Sequence, residues 1–193
     1  MTPEYISYLT IPIALISIAL YIKDMIRGNA KPNRISWFFW GVAPLLATYI
    51  GYTSGTPIHL LLATFMSGFG PLLVVIVSFF YKNAYWKTTL FDILCGVLAV
   101  IALIIWLTTN HLYLSLTFAI LADLFAGIPT IIKSWRYSET ESGAPYLLGM
   151  VNSILIMAIM TDFSFQNIAF PLYLITLNAI IILGLYRKKL KIL

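Results

Sequence analysis

The sequence predicts an all-α membrane protein: seven transmembrane helices that form two parallel three-helix bundles joined by a linker helix. Three observations carry this prediction. Of the 193 residues, 61% are hydrophobic and only 10% are charged, far below the roughly 25% charged residues of soluble domains. The apolar residues fall in blocks of about twenty, long enough to cross a hydrocarbon layer about 30 Å thick. All lysine and arginine residues lie near one set of block ends.

The apolar blocks between polar breaks predict the helices individually. They cover about residues 5–26, 35–52, 58–81, 89–108, 112–135, 145–161 and 167–186. The breaks contain turn-forming residues, such as Gly28-Asn29 after the first block and Ser54-Gly55 after the second. Each block is therefore a separate helix.

The basic residues predict the orientation. Counting seven spans places all 12 on the side that holds the odd-numbered loops and the carboxyl-terminal tail: Lys23, Arg27, Lys31, Arg34, Lys82, Lys87, Lys133, Arg136, Arg187, Lys188, Lys189 and Lys191. Basic residues near helix ends resist translocation, so this side is predicted to be cytoplasmic and the amino terminus external. A multi-pass protein of a prokaryotic inner membrane is preferred, and an organelle membrane would obey the same rule.

Several functional classes have little support in the sequence. The net charge of +5 does not form a basic face with interleaved aromatic residues, so no nucleic-acid partner is expected. Cys95 is the only cysteine, which excludes an internal disulfide. The spans contain no nucleophile and base arrangement, phosphate loop or metal-ligand cluster, so neither enzymatic activity nor a metal or cofactor is expected. The amino terminus lacks the features of a cleaved signal peptide.

An internal repeat predicts the bundle arrangement. A shift of about 109 residues places Leu20 to Arg27 over Pro129 to Arg136, and Ser36-Trp37-Phe38 over Ala144-Pro145-Tyr146 within a residue. The first repeat covers 1–81, the linker helix with its loops covers 82–110, and the second repeat with the basic tail covers 111–193. One helix between two three-helix units gives both units the same orientation, so the repeat is parallel.

The stretch from Gly127 to Tyr146, GIPTIIKSWRYSETESGAPY, resembles the signature of the PQ-loop and SWEET superfamily, with Thr130 in place of the glutamine. In the first repeat Leu20-Tyr21 replaces the Pro-Gln pair. The resemblance implies a 3+1+3 carrier fold, with the layout covering nearly the whole chain and the motif about twenty residues of it.

Asp123 is the main candidate for a functional side chain. It lies roughly 15 Å deep in the fifth helix at 1.5 Å per residue. A carboxylate at that depth is costly unless it faces a wet cavity, finds a partner or is protonated. It shares a helix face with Gly127, Thr130 and Ser134. We expect Asp123 to bind a solute or to take a coupling proton, and a purely structural carboxylate is the alternative.

Asn152 and Asn178 are candidate solute ligands at similar depth in the sixth and seventh helices. Their amides suit hydroxyl groups or an amino-acid backbone. For Asn152, polar contact between helices is an equally good interpretation. For Asn178, the superfamily resemblance implies a role, because SWEET-like carriers place a sugar-binding asparagine in the third helix of each repeat.

Trp37 and Trp40 open the second helix. Tryptophan at a membrane boundary is typically an interfacial anchor. The alternative is a stacking wall for a ring-shaped solute, and a similar Trp-x-x-Trp pair occurs in the vitamin-precursor carriers of the PnuC family. Both interpretations remain open at this stage.

Prolines inside helices are candidate hinges, because each removes a backbone hydrogen bond. Pro129 and Pro145 match two of the four hinge prolines of SWEET-like carriers. In the first repeat Pro12 and Pro44 lie about eight residues from the matching positions. Simple distortion of helix packing is the alternative.

The leading functional expectation is a transporter of a small polar solute, sugar-like or amino-acid-like, that works by alternating access with or without proton coupling. A PnuC-like vitamin-precursor carrier, a non-transporting receptor and a membrane scaffold are the alternatives. The expected partners are the solute and the lipid bilayer, and association into a homo-oligomer is left open.

Overall fold

The computed structural model describes residues 3–56, 58–158 and 160–187, and every secondary-structure element in these ranges is a helix. The helices are α1 (Pro3–Ile26), α2 (Arg34–Thr53), α3 (Ile58–Phe80), α4 (Leu90–Thr108), α5 (Leu112–Arg136), α6 (Ala144–Ala158) and α7 (Phe165–Tyr186). Two single-turn 3-10 helices, Lys82–Ala84 and Ser138–Thr140, lie in the loops before α4 and α6. All seven predicted helices are present, with bounds within a few residues of the prediction.

Five of these helices contain segments long and apolar enough to cross a membrane: α2, the Leu61–Phe80 part of α3, α4, α5 and α7. Helix α6, at 15 residues, is shorter. Large apolar side chains are exposed along the outer surface, most densely on α4, where Leu94, Val97, Ile101 and Ile104 all point away from the protein. Such a surface is stable in lipid and unfavourable in water. The chain is therefore an all-helical, multi-pass membrane protein.

Local chemistry explains where several helices begin and end. The Asn33 side chain accepts hydrogen bonds from the first backbone N–H groups of α2. A capping box between Thr89 and Asp92 begins α4. Gly28 follows α1 with a φ of 78°, a left-handed conformation that reverses the chain after a helix.

We refer to α1–α3 as the first group of helices and to α5–α7 as the second group. Helix α3 packs against both α1 and α2, and α7 packs in the same way against both α5 and α6. The two groups meet where α1 contacts α6 and where α2 contacts α5. Helix α4 packs mainly on α5 and also contacts α2.

We call one end of the molecule the basic end, defined by residues 23–34, 82–87, 133–143 and 184–187. Contacts bring these segments together: Arg34 bonds to Ser78 at the end of α3, Trp86 packs on Tyr137, and Gly143 lies against Tyr186. Every lysine and arginine in the described part of the chain lies at this end. The predicted tail lysines, Lys188, Lys189 and Lys191, lie outside the described residues.

Candidate functional site

Asp123 is half-buried among the helices and bonds to α7. The Tyr173 hydroxyl donates a hydrogen bond of 2.7 Å to its Oδ2 atom. The indole N–H of Trp40 approaches the same carboxylate from α2 without reaching good hydrogen-bond geometry. The carboxylate therefore lies where α2, from the first group of helices, meets α5 and α7 of the second.

A row of four aromatic rings runs between the two groups of helices, and we call it the aromatic row. It starts at Tyr21 of α1, whose ring lies 4.3 Å from that of Trp37. Trp37 contacts Trp40 edge-on at 5.8 Å, and Trp40 contacts Tyr146 of α6 at 6.3 Å. Trp37 is 2% exposed, so it does not contact the membrane interface as an anchor would. The row joins α1 and α2 to α6.

The α5 face that carries Asp123 is tightly packed beyond it. The Gly127 position lies 3.4 Å from both Trp40 and Leu177, measured from an added Cβ atom. Thr130 and Ser134, further along the same face, are fully buried. The predicted small and polar face of α5 is thus the face that α2 and α7 cover.

Several buried polar atoms near this face lack a hydrogen-bond partner within the described residues. They are the Trp37 and Trp40 indole nitrogens, the hydroxyl oxygens of Tyr21, Ser36, Thr130 and Tyr146, and one side-chain oxygen each of Glu141 and Asn152. Buried polar groups are usually paired with protein or water. Of these, the Tyr21 and Tyr146 hydroxyls lie beside the Glu141 carboxylate and the Trp37 N–H lies beside the Tyr21 hydroxyl. The Ser36 and Thr130 hydroxyls and the Asn152 oxygen are the ones that favour a bound water or polar ligand.

The structure places the two candidate amides apart from the contacts of Asp123. Asn178 lies against Gly149 of α6, with its amide nitrogen 3.3 Å from where a Cβ would stand. The Oδ1 atom of Asn152, one turn further along α6, is buried. Asp123, Trp40 and Trp37 therefore form one cluster, while Asn178 lies where α6 packs on α7.

The candidate hinge prolines differ in their effect on their helices. Pro12, Pro44 and Pro129 lie inside α1, α2 and α5. Pro44 leaves the Trp40 carbonyl, four residues earlier, without its helical donor, and Pro129 does the same to Phe125. Pro145 lies in the first turn of α6, where a missing N–H interrupts no helical bond. The breaks in the hydrogen-bond ladder thus flank the Trp40 and Asp123 cluster.

At the basic end, contacts join the end of α1 and the loop after it to the end of α5 and the loop before α6, and we call them the interloop contact. The Lys31 N–H donates to the Thr140 carbonyl at 2.8 Å. The Lys133 ammonium donates to the Lys31 and Thr140 carbonyls and forms a salt bridge with Glu141. The Ser142 hydroxyl donates to Asp24 at 2.6 Å.

The burial of Lys133 and Glu141 was not predicted. The sequence suggests that Glu141 balances nearby basic residues, and the salt bridge agrees with this. However, both side chains are almost completely buried, at 1% and 0% exposed. The reason is that the Ser138–Thr140 turn folds the chain inward, over the end of α5.

Tyr173, Tyr21 and Tyr146 belong to the site but were not selected from the sequence. Aromatic residues are frequent in this chain, at 15%, so their presence alone does not distinguish them. The alignment of Trp37 with Tyr146 between the repeats was the one available signal for Tyr146.

Comparisons with known proteins leave the family open: no protein-family model, curated protein or solved structure gives a significant match.

Proposed function

We propose that this protein is a membrane carrier, not an enzyme, that moves a small polar solute between its two groups of three helices by alternating access. The observation that carries the proposal is the position of Asp123: a carboxylate inside a lipid-embedded protein, bonded to Tyr173 and next to Trp40, where the two groups meet. Ionisable groups in the membrane interior typically mark solute or proton pathways.

The packing supports a parallel 3+1+3 arrangement of the PQ-loop and SWEET type. The third helix of each predicted repeat lies between the first two, and the contact of α1 with α6 corresponds to that of α5 with α2. Lys31 and Thr140, which bond to each other, are themselves equivalent under the 109-residue shift. A contact between equivalent residues is expected on a twofold axis.

We further propose that the basic end faces the cytoplasm and that the structure corresponds to a state closed on that side. The hydrogen bonds from Lys31 to Thr140, from Lys133 to Lys31 and from Ser142 to Asp24 join the two groups at the basic end. Alternating access would require these bonds to open.

The proton-coupling role of Asp123 can be tested by transport. In proteoliposomes, Asp123→Asn is expected to abolish accumulation driven by a proton gradient while measurable exchange of the solute down its own gradient remains. Unchanged accumulation by the variant would remove the coupling role. Glu139→Gln, which removes an exposed carboxylate from the loop before α6, is the matched control.

A carrier and a membrane scaffold differ in whether water reaches the interior of the protein. Cysteines introduced singly at positions 152 and 178, after Cys95→Ala, are expected to react with a small polar methanethiosulfonate reagent in the native protein. Cysteine at position 101, on the lipid-facing side of α4, is the control and should react poorly. Protection of both interior cysteines would contradict the carrier.

A PnuC-like vitamin-precursor carrier is the second candidate. The observation that favours it is the position of the Trp37 and Trp40 pair, which lies inside the protein in edge-on contact. Rings in that position could stack on an aromatic solute. A receptor for an anionic ligand is less favoured, because the buried Lys133 is already paired with Glu141.

A further inference from the structure

The charge of Asp123 is not balanced by a basic residue among those the structure describes. Its partners are the neutral hydroxyl of Tyr173 and the neutral indole of Trp40. The salt bridge of Lys133 with Glu141 lies at the basic end, ten residues further along α5, which is about 15 Å. A carboxylate inside a membrane protein needs a positive counter-charge or a proton.

The groups around Asp123 are suited to a cation. The rings of Trp40 and Tyr173 lie beside the carboxylate. The rings of Trp37 and Tyr146 contact Trp40 edge-on and add to this aromatic surface. Aromatic faces attract cations, and ammonium groups are bound in this way by aromatic cages. The Tyr146 hydroxyl lies beside the Glu141 carboxylate and the Trp37 N–H beside the Tyr21 hydroxyl, so the groups that face a cation are Asp123, Trp40 and Tyr173.

We propose that the transported solute is a small organic monocation, an amine or a quaternary ammonium compound, whose positive charge lies against Asp123 and the rings of Trp40 and Tyr173. This inference rests on the proposed carrier function and names its substrate class. A neutral sugar would leave the carboxylate without a counter-charge. Because the same carboxylate oxygens hold either a proton or the cation, any coupling at Asp123 runs as an exchange.

The test compares cations with neutral molecules of the same shape. Choline is paired with 3,3-dimethylbutan-1-ol, and phenethylammonium with 2-phenylethanol. Binding to the purified protein in detergent is measured by tryptophan fluorescence and by thermal shift. At least one cation is expected to bind about tenfold or more tightly than its neutral partner, a difference of about 1.4 kcal/mol. Equal or weaker binding by both cations overturns the inference.

Three variants separate charge recognition from loss of structure. Asp123→Asn is expected to remove the preference for the cation, and Glu139→Gln to retain it. Tyr173→Phe keeps the carboxylate but removes its hydrogen-bond donor, so cation binding should be kept or strengthened. Loss of binding in Tyr173→Phe together with Asp123→Asn would indicate a structural role for the pair and overturn the inference.

Failure of this inference is distinguishable from failure of the carrier. If glucose or glycine binds while the cations do not, and cysteines at positions 152 and 178 react, the carrier stands and the cation is excluded. If those cysteines are protected, the carrier itself fails.

Discussion

Lys133 and Glu141 form a buried ion pair whose partners have unequal roles. Lys133 donates three hydrogen bonds, to the Lys31 and Thr140 carbonyls and to Glu141. Glu141 uses one oxygen for Lys133, while the other oxygen has no partner within hydrogen-bond geometry. With these three bonds Lys133 is the centre of the interloop contact, and Glu141 compensates the charge of Lys133. Removing one partner of such a pair leaves the other charge buried without compensation.

We therefore predict that Lys133→Met lowers the free energy of unfolding by about 3–5 kcal/mol, because Glu141 and two carbonyls lose their donor. Glu141→Gln should cost less, since the amide oxygen can still accept from Lys133. The double variant Lys133→Met/Glu141→Gln should be more stable than Lys133→Met alone. Thermal unfolding in detergent measures all three.

The exposed Glu139 supplies the control for this series. Glu139→Gln is expected to leave the unfolding temperature nearly unchanged, because an exposed charge contributes little to stability. Equal stability of Lys133→Met and Glu139→Gln would contradict a stabilising role for the pair.

At the residue scale, the sequence predicted part of the candidate site. The depth of Asp123 and the shared face with Gly127 and Thr130 follow from the 3.6-residue period of a helix. The partner Tyr173 does not, because depth along α7 does not say which side of that helix faces α5. The row from Tyr21 to Tyr146 likewise depends on how separate helices are rotated against each other.

At the scale of elements, α2 and α3 approach each other backbone to backbone. A Cβ added to Gly68 of α3 would lie 2.7 Å from the Gly41 carbonyl oxygen and 3.0 Å from the Leu45 backbone nitrogen of α2. Small residues allow such close packing in membranes, where helix association depends on van der Waals contact and hydrogen bonds. The crossing positions the α2 segment that carries Trp37 and Trp40.

Gly68→Ala is therefore predicted to separate α2 from α3 and to lower the free energy of unfolding by about 1–3 kcal/mol, as overpacking does. Gly127→Ala is the matched control, because its Cβ would meet Trp40 and Leu177 at 3.4 Å, an ordinary contact distance. Unfolding in detergent with added SDS measures the difference. A larger loss in Gly127→Ala than in Gly68→Ala would contradict the predicted role of the crossing.

The helix bounds were well predicted, because apolar blocks long enough to cross a bilayer, separated by turn residues, leave few other places for a helix to begin or end. The bounds of α3, α4 and α5 differ from prediction by at most one residue. The Ser138–Thr140 turn lies in a predicted polar break, but its polar residues are typical of any loop and did not indicate its direction. That turn directs Glu141 inward, so the loop contributes to the interior.

At the scale of the whole molecule, the two groups of helices are joined by ring contacts in one region and by hydrogen bonds in another. Next to the basic end the aromatic row joins the two groups, and further along α5 the Trp40 N–H approaches Asp123, without an ion pair or a hydrogen bond of good geometry. At the basic end, hydrogen bonds join Lys31 with Thr140 and Asp24 with Ser142. Aromatic contacts can slide with little loss, whereas directional bonds must break. The basic end is therefore the natural barrier to movement.

A disulfide across this barrier tests whether opening the basic end is required for transport. A backbone hydrogen bond brings the Cα atoms of its two residues to about 5–6 Å, within the range that a disulfide spans. After Cys95→Ala, the pair Lys31→Cys and Thr140→Cys should form a disulfide under mild oxidation. We predict that the oxidised protein binds solute but does not transport it, and that a reducing agent restores transport.

The two single-cysteine variants, treated with the same oxidant, are the controls and should keep their transport rate. Binding should survive in the cross-linked protein because Asp123 and Trp40 lie away from residues 31 and 140, and a solute can still reach them from the opposite end. Full transport by the cross-linked protein would show that the interloop contact stays closed during the cycle. Movement would then have to occur within each group of helices, at the interrupted segments around Pro44 and Pro129, and not between the groups.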